Sequence, residues 1–338
     1  MRPWGLFGKP EAPARRTPGL TVNPWRPLTT NERIAALVAL AVAAALPLVG
    51  GNYVMSVGSE IAIFVIFAAS LHFLMSVGGL ASFGHAAYFG LGAYGTGLCL
   101  LYVAPSLPLA IVAGTLLGGI VGILVGPMVM KRKGIYFAMI TIAFGQMFYF
   151  VAVRWNGLTG GEDGLTGFSR VPVHIGGEAI KLGPERFYYL VLVLFAVVMA
   201  VIWQILRSPL GHSFVAVREN TTRLRFLGVA VDKQIWVAFA ISTFIVALAG
   251  SLNALLTGFA SPDNLDWPLS GSFVVICVLG GMRSFWGPFL GAVIFIVAQD
   301  YLSSVTQNWM SFIGLIFILA VLFFPQGLLG FLKGRARS

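Results

Sequence analysis

Histidine and serine side chains inside apolar stretches are the residues of this sequence best suited to chemistry. His72 and His85 both lie in such stretches, where an ionisable residue is a candidate for a functional role. A lone histidine is more often a packing residue with satisfied ring nitrogens, and this alternative stays open. His85 is the stronger candidate because it lies beside Ser82 within a Gly-rich segment, GGLASFGH at 78–85.

The pattern GGxxSF, followed closely by another glycine, occurs twice in the sequence, at 78–84 and at 280–287. Both copies come just before an apolar stretch that is predicted to run outward. Interrupted helices at corresponding positions in two halves of a transporter mark its substrate pathway. Glycine also permits close contact between helices without any such role. The pattern alone leaves both interpretations open.

Motifs of familiar enzymes are absent from the sequence. None of the six lysines completes a GxxxxGK[ST] phosphate-binding loop, so we do not expect the chain to hydrolyse ATP. No histidine is followed by glutamate and no GxSxG occurs, which excludes the HExxH and nucleophile-elbow motifs. Cys99 and Cys277 stand alone in separate apolar stretches and predict neither a disulfide nor a metal site. We predict a non-catalytic chain that binds no metal.

Composition predicts that membrane-spanning helices hold these residues. Of 338 residues, 58% are hydrophobic and 10% are charged, whereas a soluble domain has about 25% charged residues. Each span takes roughly 20 apolar residues. Nearly uncharged stretches lie at 34–50, 59–77, 80–102, 107–130, 135–153, 187–206, 235–257, 270–282, 285–303 and 310–324. We predict an all-α integral membrane protein of about ten transmembrane helices, some of them broken or re-entrant.

The distribution of basic residues predicts that both termini face the cytoplasm, because Lys and Arg in short loops stay on that side. This orientation places 18 of the 22 basic residues inside. The four that remain outside are Arg154, Arg170, Lys181 and Arg186. Membrane topology therefore explains the net charge of +10, and the scattered basic residues do not predict a nucleic-acid partner.

The chain divides into three predicted parts. These are a basic, Pro-rich cytoplasmic extension at 1–33, a transmembrane domain at 34–325 and a basic cytoplasmic tail at 326–338. The least regular part of the domain is 270–303, where two short apolar stretches meet at the second Gly-rich segment. Either two crossings or a re-entrant pair would leave the C-terminus on the inner side.

Within the domain, the cytoplasmic loop at 207–234 predicts a short amphipathic helix. Ser208 suits its N-cap and Pro209 its first position, and a second turn is expected through 222–227. The first helix has an apolar stripe and a charged tip, formed by Leu210, Phe214, Val217, Arg218 and Glu219. Such a helix could dock into a partner protein or rest on lipid headgroups, and the pattern does not separate the two.

Several sequence blocks follow one another in a familiar order. They are GLASFGHAAYFGLGAY at 79–94, KGIYFAMITIAFGQ at 133–146, LTGGEDGL at 158–165, SPLGH at 208–212 with VREN at 217–220, LGGMRSFWGP at 279–288 and FFPQGL at 323–328. Together they resemble the LivM-type permeases of bacterial branched-chain amino-acid ABC importers, over roughly residues 59–332. The extension at 1–30 lies outside the resemblance, and Arg283 stands where similar chains commonly have a small residue.

The resemblance implies a multi-pass permease in the bacterial inner membrane that works by alternating access. It implies a second permease of the LivH type, two cytoplasmic ATPases that use ATP-Mg and a periplasmic substrate-binding protein, with no cofactor on this chain. The implied cargo is branched-chain or related amino acids, although relatives in the family carry urea or short amides. An ion-coupled secondary carrier is the alternative class, which scarce acidic residues within spans disfavour.

Three groups of site residues are expected. The translocation pathway is expected beside Ser82, Gly84, His85, Tyr94, Gly281, Ser284 and Gly287. Coupling to the ATPase is expected at the tip formed by Arg218 and Glu219, with Leu210, Phe214 and Val217 seating the helix. Docking of the binding protein is expected at Thr159, Gly160, Glu162 and Asp163, unless this outer loop is only a solvated connection.

Overall fold

The computed structural model describes residues 30–49, 51–132, 134–168, 173–175, 178–180, 183–282, 284–323 and 327–328. Residues 1–29 of the predicted N-terminal extension lie outside the described residues, as do Arg283 and most of the predicted tail. The first helix begins at Thr30, inside the region predicted as the extension.

The described part of the chain is almost entirely helical. Its α-helices are α1 (Thr30–Val49), α2 (Asn52–His72), α3 (His85–Leu98), α4 (Leu107–Val129), α5 (Ile135–Arg154), α6 (Asn156–Thr159), α7 (Pro184–Arg207), α8 (Pro209–Glu219), α9 (Thr221–Phe226), α10 (Val231–Thr257), α11 (Trp267–Gly280), α12 (Gly287–Val305) and α13 (Trp309–Phe323). Helices α2 and α3 continue as π-helix over Phe73–Val77 and Cys99–Val103, and short 3₁₀ turns lie at Gly161–Asp163 and Pro262–Leu265. A small antiparallel hairpin before α7 pairs β1 (Val173–Ile175) with β2 (Glu178–Ile180).

Seven of the described helices are long and apolar enough to cross a membrane, namely α2, α3, α4, α5, α7, α10 and α12. Three shorter apolar helices lie in α1, α11 and α13. Each apolar stretch predicted from the sequence coincides with one of these helices. A helix satisfies its own backbone hydrogen bonds, which is what an apolar segment needs where no water is present.

Helices α3, α4 and α10 pack closely because glycines let their backbones meet. A Cβ added at Gly92 of α3 would overlap the carbonyl of Ala247 in α10. A Cβ at Gly250 of α10 would likewise overlap the carbonyl of Phe89 in α3. Small residues at helix contacts are the usual means of packing in a membrane, where apolar burial alone gives little drive for helices to associate.

Helix α2 connects this group to α7, α11 and α12. The ring of Phe67 stacks on Phe273 of α11 with 3.7 Å between centroids and tilts against Phe89 of α3 at 5.1 Å. Aromatic contacts of this kind add about 0.5–1.5 kcal/mol beyond burial. Phe73, Leu74 and Met75, at the C-terminal end of α2, belong to the buried core, so this end of the helix can position the residues that contact it.

Helix α11 is short, and a largely non-helical segment at 258–266 precedes it. Its 14 residues span about 21 Å at 1.5 Å per residue, less than the hydrocarbon thickness of about 30 Å. The preceding segment folds back toward α3, where Leu265 lies against Gly90. Ala260 and Leu265 are fully buried, so protein covers this irregular backbone, as membrane depth requires.

The apolar stretch predicted at 80–102 is helical only from His85, where α3 begins. Residues 78–84 are not helical, apart from the end of the preceding turn at Gly78, and α3 begins at His85. Gly79 has φ +68°, a left-handed conformation that ends the π-helical turn. Leu80 then donates its N–H to the Leu74 carbonyl at 3.3 Å, which turns the chain away from the axis of α2.

Candidate translocation and coupling site

The first Gly-rich segment, 78–84, is fixed by a buried network of hydroxyl groups around His85. Its Nδ1 lies 2.7 Å from Ser82 Oγ, and its Nε2 lies 2.7 Å from Ser242 Oγ of α10. Ser242 in turn exchanges hydrogen bonds with Ser70 of α2 at 2.7 and 2.9 Å. Both ring nitrogens are therefore partnered, and the network ties the segment to α10 and α2.

Helix α5 closes over the same segment. The N–H of Phe83 donates to Thr141 Oγ1 at 3.2 Å, and a Cβ added at Gly84 would overlap the Thr141 carbonyl oxygen. Glycine at 84 is required here by this close approach. Its φ of −108° needs no glycine.

The second Gly-rich segment, 280–287, lies against the inner end of α2. The carbonyl of Met282 accepts a hydrogen bond from Ser76 Oγ at 2.8 Å and lies 3.2 Å from His72 Nε2. Gly281 has φ +113°, and a Cβ added at Gly287 would overlap its carbonyl. His72 is thus a packing residue of this segment, and Ser284 lies half-buried within it.

Both Gly-rich segments therefore meet the same turn of α2. The first follows it directly, with the N–H of Gly79 donating to Met75 at 3.1 Å. The second is held by the hydroxyl of Ser76, the next residue along. The duplication seen in the sequence is accompanied by proximity in space, which is the arrangement expected of paired broken helices.

Tyr94 lies apart from this pair of segments. It is buried on α3 among Leu165, Phe168 and Leu265, which belong to the connections after α6 and α10. Its hydroxyl has no hydrogen-bond partner among the described residues. The structure therefore separates Tyr94 from the other residues predicted for the pathway.

Helix α8 forms as predicted, with the Ser208 side chain accepting from the Gly211 N–H at 3.5 Å. Phe214 and Val217 face inward and are buried, and the Phe214 ring meets Phe73 edge-on at 5.8 Å. Leu210 remains 45% exposed. The predicted apolar stripe is thus divided, because two of its members pack into the chain's own bundle.

The two charged residues at the tip of α8, Arg218 and Glu219, are both exposed. The guanidinium of Arg218 is directed toward α2 and donates to the Ser76 carbonyl. A cleft between α8 and the first Gly-rich segment is lined by Gly78, Leu80 and Phe214, so α8 lies directly on this segment.

Helix α9 presents an exposed apolar pair that the sequence reasoning missed. Asn220 caps the helix by accepting a hydrogen bond from the Arg223 N–H at 2.9 Å, and Gly228, with φ +79°, follows its last turn. Phe226 is 88% exposed and Leu227 is 72% exposed. Two adjacent apolar residues beside a terminating glycine are the signal that could have indicated this feature.

The loop at 158–165, predicted to lie outside, is compact. Thr159 is buried and its hydroxyl donates to the Ala152 carbonyl at 2.5 Å, while Gly160 has φ +78°. Glu162 and Asp163 are exposed. The loop thus presents two carboxylates outward while Thr159 holds it against α5.

Few side chains in the described part of the chain could bind a metal ion or react as thiols. Cys99 and Cys277 are buried free thiols. Among the described residues, no three His, Cys, Asp or Glu side chains gather in a way that could hold a metal ion.

Comparisons with known proteins identify what the chain resembles. A family model described as "Branched-chain amino acid transport system / permease component" matches residues 53–322. The chain is 27% identical over 321 residues to the LivM permease proteins of the high-affinity branched-chain amino acid transport systems of Salmonella typhimurium and Escherichia coli, covering 89% of this chain and 76% of theirs. It is 30% identical over 247 residues to the Escherichia coli autoinducer 2 import system permease protein LsrC, covering 68% of each. No solved structure matches the chain significantly.

Proposed function

Because the chain belongs to the permease family of branched-chain amino acid transport systems, we propose that it moves branched-chain or related amino acids inward by ATP-driven alternating access. It is a multi-pass permease subunit of an ABC importer in the inner membrane. The family match over 53–322 is the observation that carries the proposal. Such a subunit needs two alternative packings of its helices rather than a reactive side chain.

The partners follow from the same role. The chain has no phosphate-binding loop, so two cytoplasmic ATPases supply the ATP-Mg hydrolysis. A second permease of the LivH type completes the pathway, and a periplasmic binding protein delivers the cargo. Membership of an ABC permease family supports this assembly.

The cargo is proposed to be a branched-chain amino acid, on the names of the two LivM relatives. The LsrC relative is named for autoinducer 2 import, so similar permeases serve different cargoes. Urea and short amides are further alternatives within the family. We propose that the periplasmic binding protein selects the cargo that it delivers.

The proposed topology has ten crossings, with both termini in the cytoplasm. Seven long helices and the apolar helices α1 and α13 supply nine of them. The tenth combines α11 with the buried segment 258–266, which extends it outward. The proposed domain division is an extension to residue 33, the transmembrane domain at 34–325 and a cytoplasmic tail.

The pathway is proposed to run beside the two Gly-rich segments, with Ser82, Gly84 and His85 on one side. Gly281, Ser284 and Gly287 are proposed on the other side. The shared contact of both segments with residues 75–76 of α2 supports this assignment. Tyr94 is proposed to act nearer the outer connections.

Contact with an ATPase is proposed at the exposed face of α8 and α9. Leu210, Glu219, Phe226 and Leu227 are the exposed residues there that suit a partner groove. Phe214 and Val217 anchor α8 to the permease, so a push on the exposed face would move the Gly-rich segment below it. On the outer side, Glu162 and Asp163 are proposed to meet the binding protein, with Thr159 and Gly160 shaping their loop.

The test uses the purified complex in nanodiscs with the binding protein. Addition of binding protein and L-leucine is expected to stimulate ATP hydrolysis severalfold over either component alone. Urea, acetamide and autoinducer 2 serve as competing cargo candidates in the same assay. Stimulation by one of these, without any by leucine, isoleucine or valine, would contradict the proposed cargo.

A further inference from the structure

We propose that Arg218 is a positioning residue that links α8 mechanically to both Gly-rich segments through the inner end of α2. This inference rests on the proposed function of α8 as part of the ATPase contact. It concerns how a movement of α8 reaches the pathway, and it gives the exposed Arg218 side chain a contact within the permease instead of one with the ATPase.

The first link is the hydrogen bond from the Arg218 guanidinium to the Ser76 carbonyl. Ser76 lies in the last turn of α2, where carbonyl groups lack partners within the helix. A cationic side chain suits this position because it also complements the negative end of the helix dipole. The aliphatic stem of Arg218 lies along Gly79, with Cγ 3.0 Å from the place that a Cβ would occupy.

The second link starts from the same residue. The hydroxyl of Ser76 donates to the Met282 carbonyl at 2.8 Å, within the second Gly-rich segment. His72, one turn earlier on α2, lies 3.2 Å from the same carbonyl. Ser76 therefore binds α8 through its main chain and the second Gly-rich segment through its side chain.

The first Gly-rich segment joins at the same point, since Gly79 follows Ser76 by three residues and is in contact with the Arg218 stem. A tilt of α8 would therefore displace one turn of α2 and, with it, both segments. Two other roles for Arg218 are conceivable from its position. It could contact the ATPase directly, or it could stabilise the end of α2 without transmitting movement.

The decisive variant is Arg218→Gln, which removes the charge and the guanidinium group that donates to the Ser76 carbonyl. A charge-assisted hydrogen bond that forms in only one of two states shifts their equilibrium by about tenfold or more. We expect L-leucine uptake per ATP hydrolysed to fall about tenfold in proteoliposomes, while the ATPases still co-purify with the permease in wild-type amounts. Arg218→Lys, which keeps the charge, is expected to recover part of the uptake.

Ser76→Ala provides an independent variant, because it removes the bond to Met282 and leaves the carbonyl that Arg218 contacts. It is expected to lower uptake per ATP in the same way. If both residues act in one chain of contacts, uptake per ATP in the double variant will lie within about twofold of that in the more impaired single variant. Arg132→Gln removes the same group from an exposed inner turn and serves as the control.

Wild-type complex in the same vesicles separates the failures of the two proposals. Absence of ATP-dependent leucine uptake by the wild type would contradict the proposed function itself. With an active wild type, unchanged uptake per ATP in both Arg218→Gln and Ser76→Ala would overturn the link. Loss of the ATPases from Arg218→Gln, but not from Ser76→Ala, would assign Arg218 to the ATPase surface and would also overturn the proposed link. Additive losses of uptake per ATP in the double variant would overturn the link as well.

Discussion

At the level of single residues, the two Gly-rich segments illustrate different uses of glycine. Gly79 and Gly281 have positive φ and turn the chain after α2 and after α11, respectively. Gly84 and Gly287 have no such conformation, and instead admit a backbone carbonyl where a Cβ would overlap it. Substitution at Gly84 or Gly287 therefore acts through steric overlap, so replacement by alanine is enough to test it.

We predict that Gly84→Ala will lower both stability and uptake, because the added methyl group would overlap the Thr141 carbonyl of α5. Overpacking of this kind costs about 1–3 kcal/mol. The melting temperature of the detergent-purified permease is expected to fall by several degrees, with reduced leucine uptake at matched expression. Gly271→Ala is the control, since no atom lies within 4 Å of a Cβ there. Equal behaviour of the two variants would refute the requirement for glycine at 84.

The sequence identified His85 and Ser82 as neighbours but could not identify their other partner. Ser242 is 157 residues away from His85, and an isolated serine in an apolar helix gives no signal of a buried contact. Both ring nitrogens of His85 have hydrogen-bond partners, as expected for a packing histidine. Proximity to a pathway and satisfaction of the ring are compatible, because a fixed histidine can hold the segment in position.

At the level of elements, the inner helix pair shows how far periodicity leads. The cap at Ser208 and the stop at Gly228 follow from local chemistry, and both are found in the structure. The sequence does not indicate what the apolar stripe of α8 packs against. The spacing of Phe214 and Val217 is the same whether they face a partner or the chain's own bundle. Only the packing against Phe73 and the first Gly-rich segment decides it.

This division of the stripe gives a matched pair of variants. Phe214→Asp places a charge in a site that is 2% exposed and is expected to destabilise the permease itself by at least about 3 kcal/mol. Leu210→Asp lies on the exposed face and should change stability by less than about 0.5 kcal/mol. Its expected defect is weaker retention of the ATPases.

The measurement is thermal unfolding of each purified permease, together with co-purification of the ATPases at equal permease amounts. A stable Phe214→Asp permease that releases the ATPases would show that Phe214 faces the partner. Full retention of the ATPases by Leu210→Asp would remove Leu210 from the proposed contact.

At the level of the whole molecule, hydropathy located the helices well. All ten apolar stretches form helices, because an apolar segment without water must satisfy its backbone internally. Their lengths were less predictable. In the proposed topology, segment 258–266 completes the crossing at α11; it is buried against α3 and has no helical periodicity to reveal it.

The proposed orientation predicts opposite accessibility for two exposed positions. Thr166 lies in the connection after α6 and should face the exterior, whereas Lys131 lies in the inner turn after α4. Single cysteines at these positions are to be treated with a membrane-impermeant maleimide in spheroplasts. Labelling is expected at 166 but at 131 only after lysis, and the buried native thiols Cys99 and Cys277 should give little background. The reverse pattern would invert the proposed topology.

The account depends most on the source of energy for transport, since a permease of this family differs there from an ion-coupled carrier. The direct measurement is uptake of labelled L-leucine into proteoliposomes that contain the complete complex, with binding protein outside the vesicles and ATP inside. Uptake is expected to require internal ATP, to be abolished by orthovanadate and to persist when ionophores collapse the proton and sodium gradients. Uptake that survives without ATP and disappears with the ionophores would contradict the account.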